Sequence, residues 1–278
     1  MLASIVVYLE SEVTHPLSPS IARSVHGLFL KLLREGNIDL AKELHDKQGV
    51  KPFTISTLYG KFGRTSIQRL IVKDFEYWIR FTLLTEDSFK TFSKVIFPLA
   101  AEQGKIFLNG QKFRVKKALL EVEENGGWSG LSNYAGIIEE ASNSKMKEDA
   151  IFVQFYSPTT FRQGKTNYIL PEPSLVFGSW LNKWNAFCEI PLPAEIKSEV
   201  KEKVVVAEFR LRSAYYNLDD HQLMGFQGRC KYDLTNAEEQ LKIYLHALSS
   251  YSFYAGTGQK TTMGMGMTRR WTTKNGGK

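Results

Sequence analysis

The chain has 278 residues, 43% hydrophobic and 23% charged, a balance that excludes wholesale disorder and leaves room for one large core or two small ones, of which two are expected. Lys and Arg outnumber Asp and Glu by 36 to 29, a net charge of +7, which favours an anionic partner by long-range attraction without speaking to the fold. The two cysteines, Cys188 and Cys230, stand far apart, so neither a disulfide framework nor a cysteine-based zinc site is expected.

In chain order, residues 4–10 form an apolar run with the pair Val6-Val7, and a turn follows at His15-Pro16-Leu17-Ser18-Pro19, so a first strand and a loop are expected. That run lacks the leader and cleavage site of a signal peptide, and no apolar stretch approaches the roughly 20 residues that span a bilayer; a cytoplasmic protein with no membrane partner is expected. Ser20 is placed to cap a helix in which Ile21, Val25, Leu28, Phe29, Leu32 and Leu33 share one face, ending near Gly36. A short helix over 37–46 is closed by Gly49. Residues 51–59 and 75–84 read as strands, 88–99 as a helix and 106–122 as mostly extended. Between 123 and 148 the pattern dissolves into Gly, Ser, Asn and charge, as a linker does. Beyond it come a strand (150–156), a helix (174–187), two strands (204–215 and 222–232), a helix (237–251) and a final strand. That order is ferredoxin-like, and the fold class is α+β. The expected boundaries are 1–123 for an N-terminal domain, 124–148 for the linker and 149–278 for a C-terminal domain.

Residues 254–271 read YAGTGQKTTMGMGMTRRW. Gly256, Gly258, Gly264 and Gly266 surround Lys260, Thr261 and Thr262, so the backbone can approach a phosphate chain while one cation and two hydroxyls reach its oxygens. A nucleotide-binding P-loop wants Gly directly before Lys in a strand-to-helix turn. Here Gln259 intervenes and the order is helix, loop, strand. The segment closely resembles the C-terminal glycine-rich loop of the CRISPR-associated endoribonucleases that cut repeat RNA, the Cas-six family of the RAMP superfamily. FYSPTTF at 155–161, LPEPSLVFGSWLNKWNAF at 170–187, GFQGRCKYDL at 225–234, HGLFLKLL at 26–33 and LHDKQGVKPFTIS at 44–56 look like further hallmarks of that family in the right order. The resemblance implies two tandem ferredoxin-like (RRM-like) domains with antiparallel sheets, and CRISPR repeat RNA (precursor crRNA) bound across a basic surface that includes the loop.

A ribonuclease that cuts without metal needs a base for the ribose 2′-OH, an acid for the departing 5′-oxygen and a cation for the charge growing on phosphorus; histidine, with a pKa of about 6.5, suits the proton steps. Of the five histidines, His15 in a Pro turn and His246 within an apolar helix read as structural, and His221 after Asp219-Asp220 as a solvated turn residue. His45 ends a short helix beside Asp46, where both the helix C-terminus and the carboxylate favour the protonated ring, so it reads as a general acid or as a C-capping histidine partnered by Asp46. In its LHD context it also matches the family's catalytic histidine. His26 precedes Gly27, which would admit another chain closely; it is either the partner of His45 or a helix residue facing a loop. Where some relatives place a tyrosine base on this helix, this chain has Leu30, so a tyrosine base is not expected.

Lys51 stands where the family puts its electrostatic residue, against the alternative of a solubilising strand-edge lysine. Ser56 is a weaker candidate phosphate donor on the same strand. Lys260, Thr261 and Thr262 read as phosphate binders and Arg269 and Arg270 as an extension of the basic track, with Phe253, Tyr254 and Trp271 either stacking bases or packing in a core. There is no H-E-x-x-H, paired-cysteine or G-x-S-x-G motif, so neither a metal site nor a cofactor is expected. The expected function is metal-independent cleavage of CRISPR repeat RNA by 2′-OH attack. A non-catalytic RNA-binding subunit of a CRISPR effector complex and a nucleotide-binding protein with a P-loop variant are the alternatives. Effector-complex subunits and a second copy of the chain stay open as partners.

Overall fold

The first apolar run becomes a strand buried along nearly its whole length, which follows from its position with a partner on each side. The computed structural model describes residues 1–121, 127–143, 148–218 and 221–271. Two compact units emerge: Met1–Leu131 with the short pieces Asn217–His221 and Thr262–Gly264, and the remainder of the chain.

In the first unit the elements are β1 (Leu2–Ser11), β2 (His15–Pro16), α1 (Ile21–Gly36), α2 (Ile38–Asp46), β3 (Phe53–Ile55), β4 (Tyr59–Gly60), β5 (Gly63–Arg64), β6 (Arg69–Ile71), β7 (Glu76–Leu83), α3 (Glu86–Ala101), β8 (Lys105–Leu108), β9 (Gln111–Leu119) and, at the boundary, β10 (Gly130–Ser132). The main sheet runs β3-β7-β1-β9-β8. β1 pairs antiparallel with β7, Val7 opposite Ile79, and with β9, Leu9 opposite Val115. The six apolar residues that the spacing puts on one face of α1 are all buried. Among them Phe29 lies 4.3 Å from Phe53, 5.5 Å from Phe81 and 5.1 Å from Phe92, ring centre to ring centre. Burying each such ring stabilises the unit by about 1.5–3 kcal/mol, so this cluster rather than helix propensity fixes where α1 sits.

The second unit holds α4 (Tyr134–Ser142), β11 (Ala150–Thr159), β12 (Phe161–Gln163), β13 (Thr166–Tyr168), α5 (Pro173–Phe187), α6 (Ile196–Lys203), β14 (Val205–Leu218), β15 (His221–Asp233), α7 (Glu239–Ala255) and β16 (Thr268–Arg270). A 3-10 turn at Thr261–Met263 begins in it and runs on into the Thr262–Gly264 piece of the first unit. Its sheet runs β14-β15-β11-β16. In both units the second, third, first and fourth strands of the β-α-β-β-α-β order lie side by side: β3-β7-β1-β9 in one and β14-β15-β11-β16 in the other. That is the ferredoxin-like arrangement twice over.

Several local expectations change. Ser20 makes no side-chain cap bond to α1 and pairs with Ser18 Oγ at 2.9 Å instead, while Asn37 caps α2 by accepting from the backbone N–H groups of Asp39 and Leu40. Where a linker was expected over 124–148, the described residues hold β10 and α4, whose first turn is capped by Asn133. The same small polar residues that mark linkers also cap helices. Of the strand expected over 51–59, Phe53–Ile55 pairs with β7 as β3, and Tyr59 pairs with it through β4. Gly27 has open space within 4 Å of where a Cβ would stand, so no chain presses on it. Asp219 and Asp220 lie outside the described residues. Among the described residues no helix is long and apolar enough to cross a membrane.

Candidate active site

His26 follows Val25 of the buried face of α1, so its ring leans against the core, 6.0 Å from the Phe53 ring. Its Nδ1 lies 2.7 Å from the carbonyl oxygen of Thr262. A carbonyl only accepts, so Nδ1 carries the proton and the neutral ring keeps its lone pair at Nε2. Burial pulls the pKa of His26 below its ordinary value; the Thr262 bond opposes this, and the positive charges of Lys51 and His45 add to it. At neutral pH the ring is therefore uncharged with an acceptor at Nε2, the form a general base requires.

His45 lies exposed in the last turn of α2. Gly49, at φ +82°, turns the chain back towards β3 with open space where a Cβ would stand. Beyond that turn Lys51 donates from Nζ to the carbonyls of Leu44 and of His45, the latter at 3.0 Å. A cation on the last carbonyls of a helix satisfies acceptors that have no intrahelical partner and suits the helix dipole. Burial lowers the Lys51 pKa while Asp46 raises it. Asp46 thus acts on Lys51, where the sequence suggested a partnership with His45. Ser56 is buried; its hydroxyl donates to the Thr57 carbonyl at 2.7 Å and accepts from the Arg80 N–H at 2.8 Å. Its single hydroxyl proton is committed to the main chain, so it offers no donor to a phosphate.

The glycine loop owes its glycines to its own packing. Gly256 closes α7 at φ +61°. At Gly258, φ +74°, a Cβ would stand 2.3 Å from the Thr160 carbonyl oxygen, and at Gly266, φ +70°, 2.0 Å from that of Thr257. Both approaches are shorter than any side chain tolerates in a backbone conformation that already favours glycine. Loop N–H groups are spent inside the second unit: Thr257 donates to Gly266, Gln259 to Thr160 and Gly266 to Pro158. Lys260 projects exposed from a left-handed backbone, φ +57°. Thr261 faces inward, its hydroxyl accepting from Lys183 Nζ at 3.2 Å, so it supports the loop from within. Thr262 meets His26 through its carbonyl, a contact that leaves its hydroxyl out of account.

On β16, Arg269 lies 5.0 Å over the Phe253 ring, and burial lowers the pKa of both Arg269 and Arg270. Tyr254 packs in the core, and Trp271 stands edge-on to Phe152 with Arg229 over its face at 4.8 Å. Lys183 escaped the sequence reading. Its one signal is a charge set between Leu181 and Trp184 on the apolar face of α5. Among the described residues no three of His, Cys, Asp and Glu are grouped so as to hold a metal ion.

With α7, loop and β16 in that order, the loop is no P-loop. Residues 1–139 match the CRISPR Cas6 N-terminal domain, and residues 153–268 match the CRISPR-associated endoribonuclease Cas6 family. The chain belongs to the Cas6 family. A CRISPR-associated endoribonuclease Cas6 of Streptococcus thermophilus is 24% identical over 263 residues, 94% of this chain and 95% of that one. One from Mycobacterium tuberculosis is 32% identical over 119 residues, 42% of this chain and 37% of its own. Among solved structures, a Cas6 product complex superposes with a TM-score of 0.78 at 29% identity over 98% of this chain and 99% of the other. A Thermus thermophilus Cas6 gives 0.73 at 25% identity, with 98% of each chain covered. A RAMP protein that binds different RNA substrates, at 13% identity and a TM-score of 0.62 over 97% of this chain, shares the fold.

Proposed function

We propose that this Cas6 endoribonuclease binds CRISPR repeat RNA and cuts one phosphodiester by attack of the adjacent 2′-OH, leaving a 2′,3′-cyclic phosphate and a 5′-OH. The observation that carries the mechanism is the state of His26. Its Nδ1 proton is anchored on Thr262 and its charged form is disfavoured by burial and by the neighbouring cations, so Nε2 is ready to take the 2′-OH proton.

His45, exposed at the end of α2, hands a proton to the departing 5′-oxygen. Lys51 has two of its three donors on the carbonyls that end α2; its charge faces the developing phosphorane while those bonds hold the His45 backbone in place. Lys260, with Arg269 and Arg270, supplies the positive track for the RNA backbone. No step here calls for a metal ion or an organic cofactor. Purified protein is expected to cut repeat RNA in excess EDTA at one bond, yielding fragments whose 3′ ends carry the cyclic phosphate. Activity lost in EDTA and restored by a single divalent ion contradicts the scheme.

A further inference from the structure

α5 touches the glycine loop at three places. Ser179 Oγ accepts from the Gly258 N–H at 2.8 Å, and Trp180 Nε1 donates to Thr257 Oγ1 at 2.8 Å. The third is Lys183, only 7% exposed, whose Nζ lies 2.6 Å from the Ala255 carbonyl oxygen, 3.4 Å from that of Gly256 and 3.2 Å from Thr261 Oγ1. Ala255 is the last residue of α7, and its carbonyl has no partner within the helix. Gly256 opens the loop and Thr261 begins its 3-10 turn, so one ammonium, using all three of its protons, spans the neck of the loop.

We infer that Lys183 is a positioning residue, its buried ammonium fastening the end of α7 to the turn of the glycine loop and so fixing how the loop is presented to RNA phosphate. The inference rests on the RNA-cleaving reading above. Taking a charge out of water is costly, and packing alone is served as well by an apolar side chain of similar volume. Burial alone draws the Lys183 pKa down to about 7. No charged or titratable group on the adjoining elements contributes to that shift, neither Lys197 of α6, nor Lys242, His246, Tyr251 and Tyr254 of α7, nor Lys260 of the loop.

The test uses the full chain with Lys183→Met and, as a milder change, Thr261→Val, which keeps volume and removes one acceptor. Amide exchange at Thr257, Gly258, Gln259 and Gly266 reports on the loop without RNA; repeat-RNA affinity at pH 6 and pH 8.5 reports on function. Lys183→Met is expected to speed exchange at those amides while the amides of β15 stay protected, and to weaken binding at pH 6 by about tenfold, the loss of a charged hydrogen bond. It is also expected to flatten the fall in wild-type affinity from pH 6 to pH 8.5, a readout that a packing role does not move. Thr261→Val should shift exchange and affinity the same way by less. Wild-type affinity in a folded Lys183→Met protein overturns the inference, as does faster exchange with unchanged affinity. If Lys183→Met does not fold, unchanged exchange and affinity in Thr261→Val overturn it. Wild-type protein that binds no repeat RNA overturns the functional reading instead, and the exchange arm then judges the fastening of the loop by itself.

Discussion

His26 and His45 differ in what surrounds them, and the roles proposed for them rest on that difference. His26 is pinned through Nδ1 and kept neutral by burial first and by Lys51 and His45 after it. His26→Ala is expected to lower kcat by about 10² to 10⁴-fold with little change in RNA affinity, because the lost group acts on a proton in flight and not on the bound phosphate. In the wild type, kcat/KM should rise with pH through a midpoint below 6.5 as His26 gives up its proton, and that limb should vanish in the variant. A rate profile unchanged by His26→Ala removes His26 from the chemistry and leaves His45 working with solvent. His26, His45 and Lys51 were legible in the sequence as residues in recognisable blocks with workable chemistry. Which way each side chain faces was not. Ser56 and Thr261 carry hydroxyls in the right segments, yet both spend them on protein partners, and Lys183 reads as a stray charge until the helix end it caps is seen.

Among the elements, the glycine loop and the turn after α2 both rely on left-handed glycines, but for different reasons. Gly258→Ala forces a Cβ to 2.3 Å from a carbonyl oxygen at φ +74°, whereas Gly49→Ala at φ +82° meets nothing within 4 Å. The second change carries backbone strain alone, of order 1–3 kcal/mol; the first adds displacement of the Thr160 main chain and so of the loop. Gly258→Ala is therefore expected to cost more unfolding free energy than Gly49→Ala and to weaken RNA binding, while Gly49→Ala acts on kcat through His45. Equal effects of the two on RNA affinity would show that the loop does not touch RNA. Helices and central strands followed from apolar spacing, since burial on one face leaves a periodic trace. The short strands β2, β4, β5 and β6, the β12-β13 hairpin and α6 left none. α6 buries only Ile196 and Val200, and pairs of two or three residues are set by tertiary partners rather than by their own composition.

Across the whole molecule, two buried bases tie stability to pH. His246 is buried, its Nε2 2.8 Å from the Glu148 carbonyl oxygen and its Nδ1 without a partner, and burial draws its pKa down to about 4. The unfolded chain takes up a proton there near pH 6.5 and the folded chain does not, so stability falls as pH drops from about 6.5 to about 4, by up to about 3 kcal/mol. Lys183 works in a higher window. Its folded pKa of about 7 lies below the unfolded value of about 10.4, so the unfolded chain holds the extra proton and stability rises from pH 7 towards 10. Urea unfolding at pH 7 and pH 4.5 should show a smaller acid loss in His246→Gln than in the wild type; identical losses would mean that other groups drive acid unfolding.

The central claim is that the RNA supplies its own nucleophile and the protein manages the protons. A repeat RNA with a single 2′-deoxy nucleotide on the 5′ side of the scissile phosphate tests it most directly, measured for binding and for cleavage beside the unmodified strand. The account predicts binding close to that of the unmodified RNA and no cleavage at that bond. Cleavage of the 2′-deoxy strand at the same bond would contradict it.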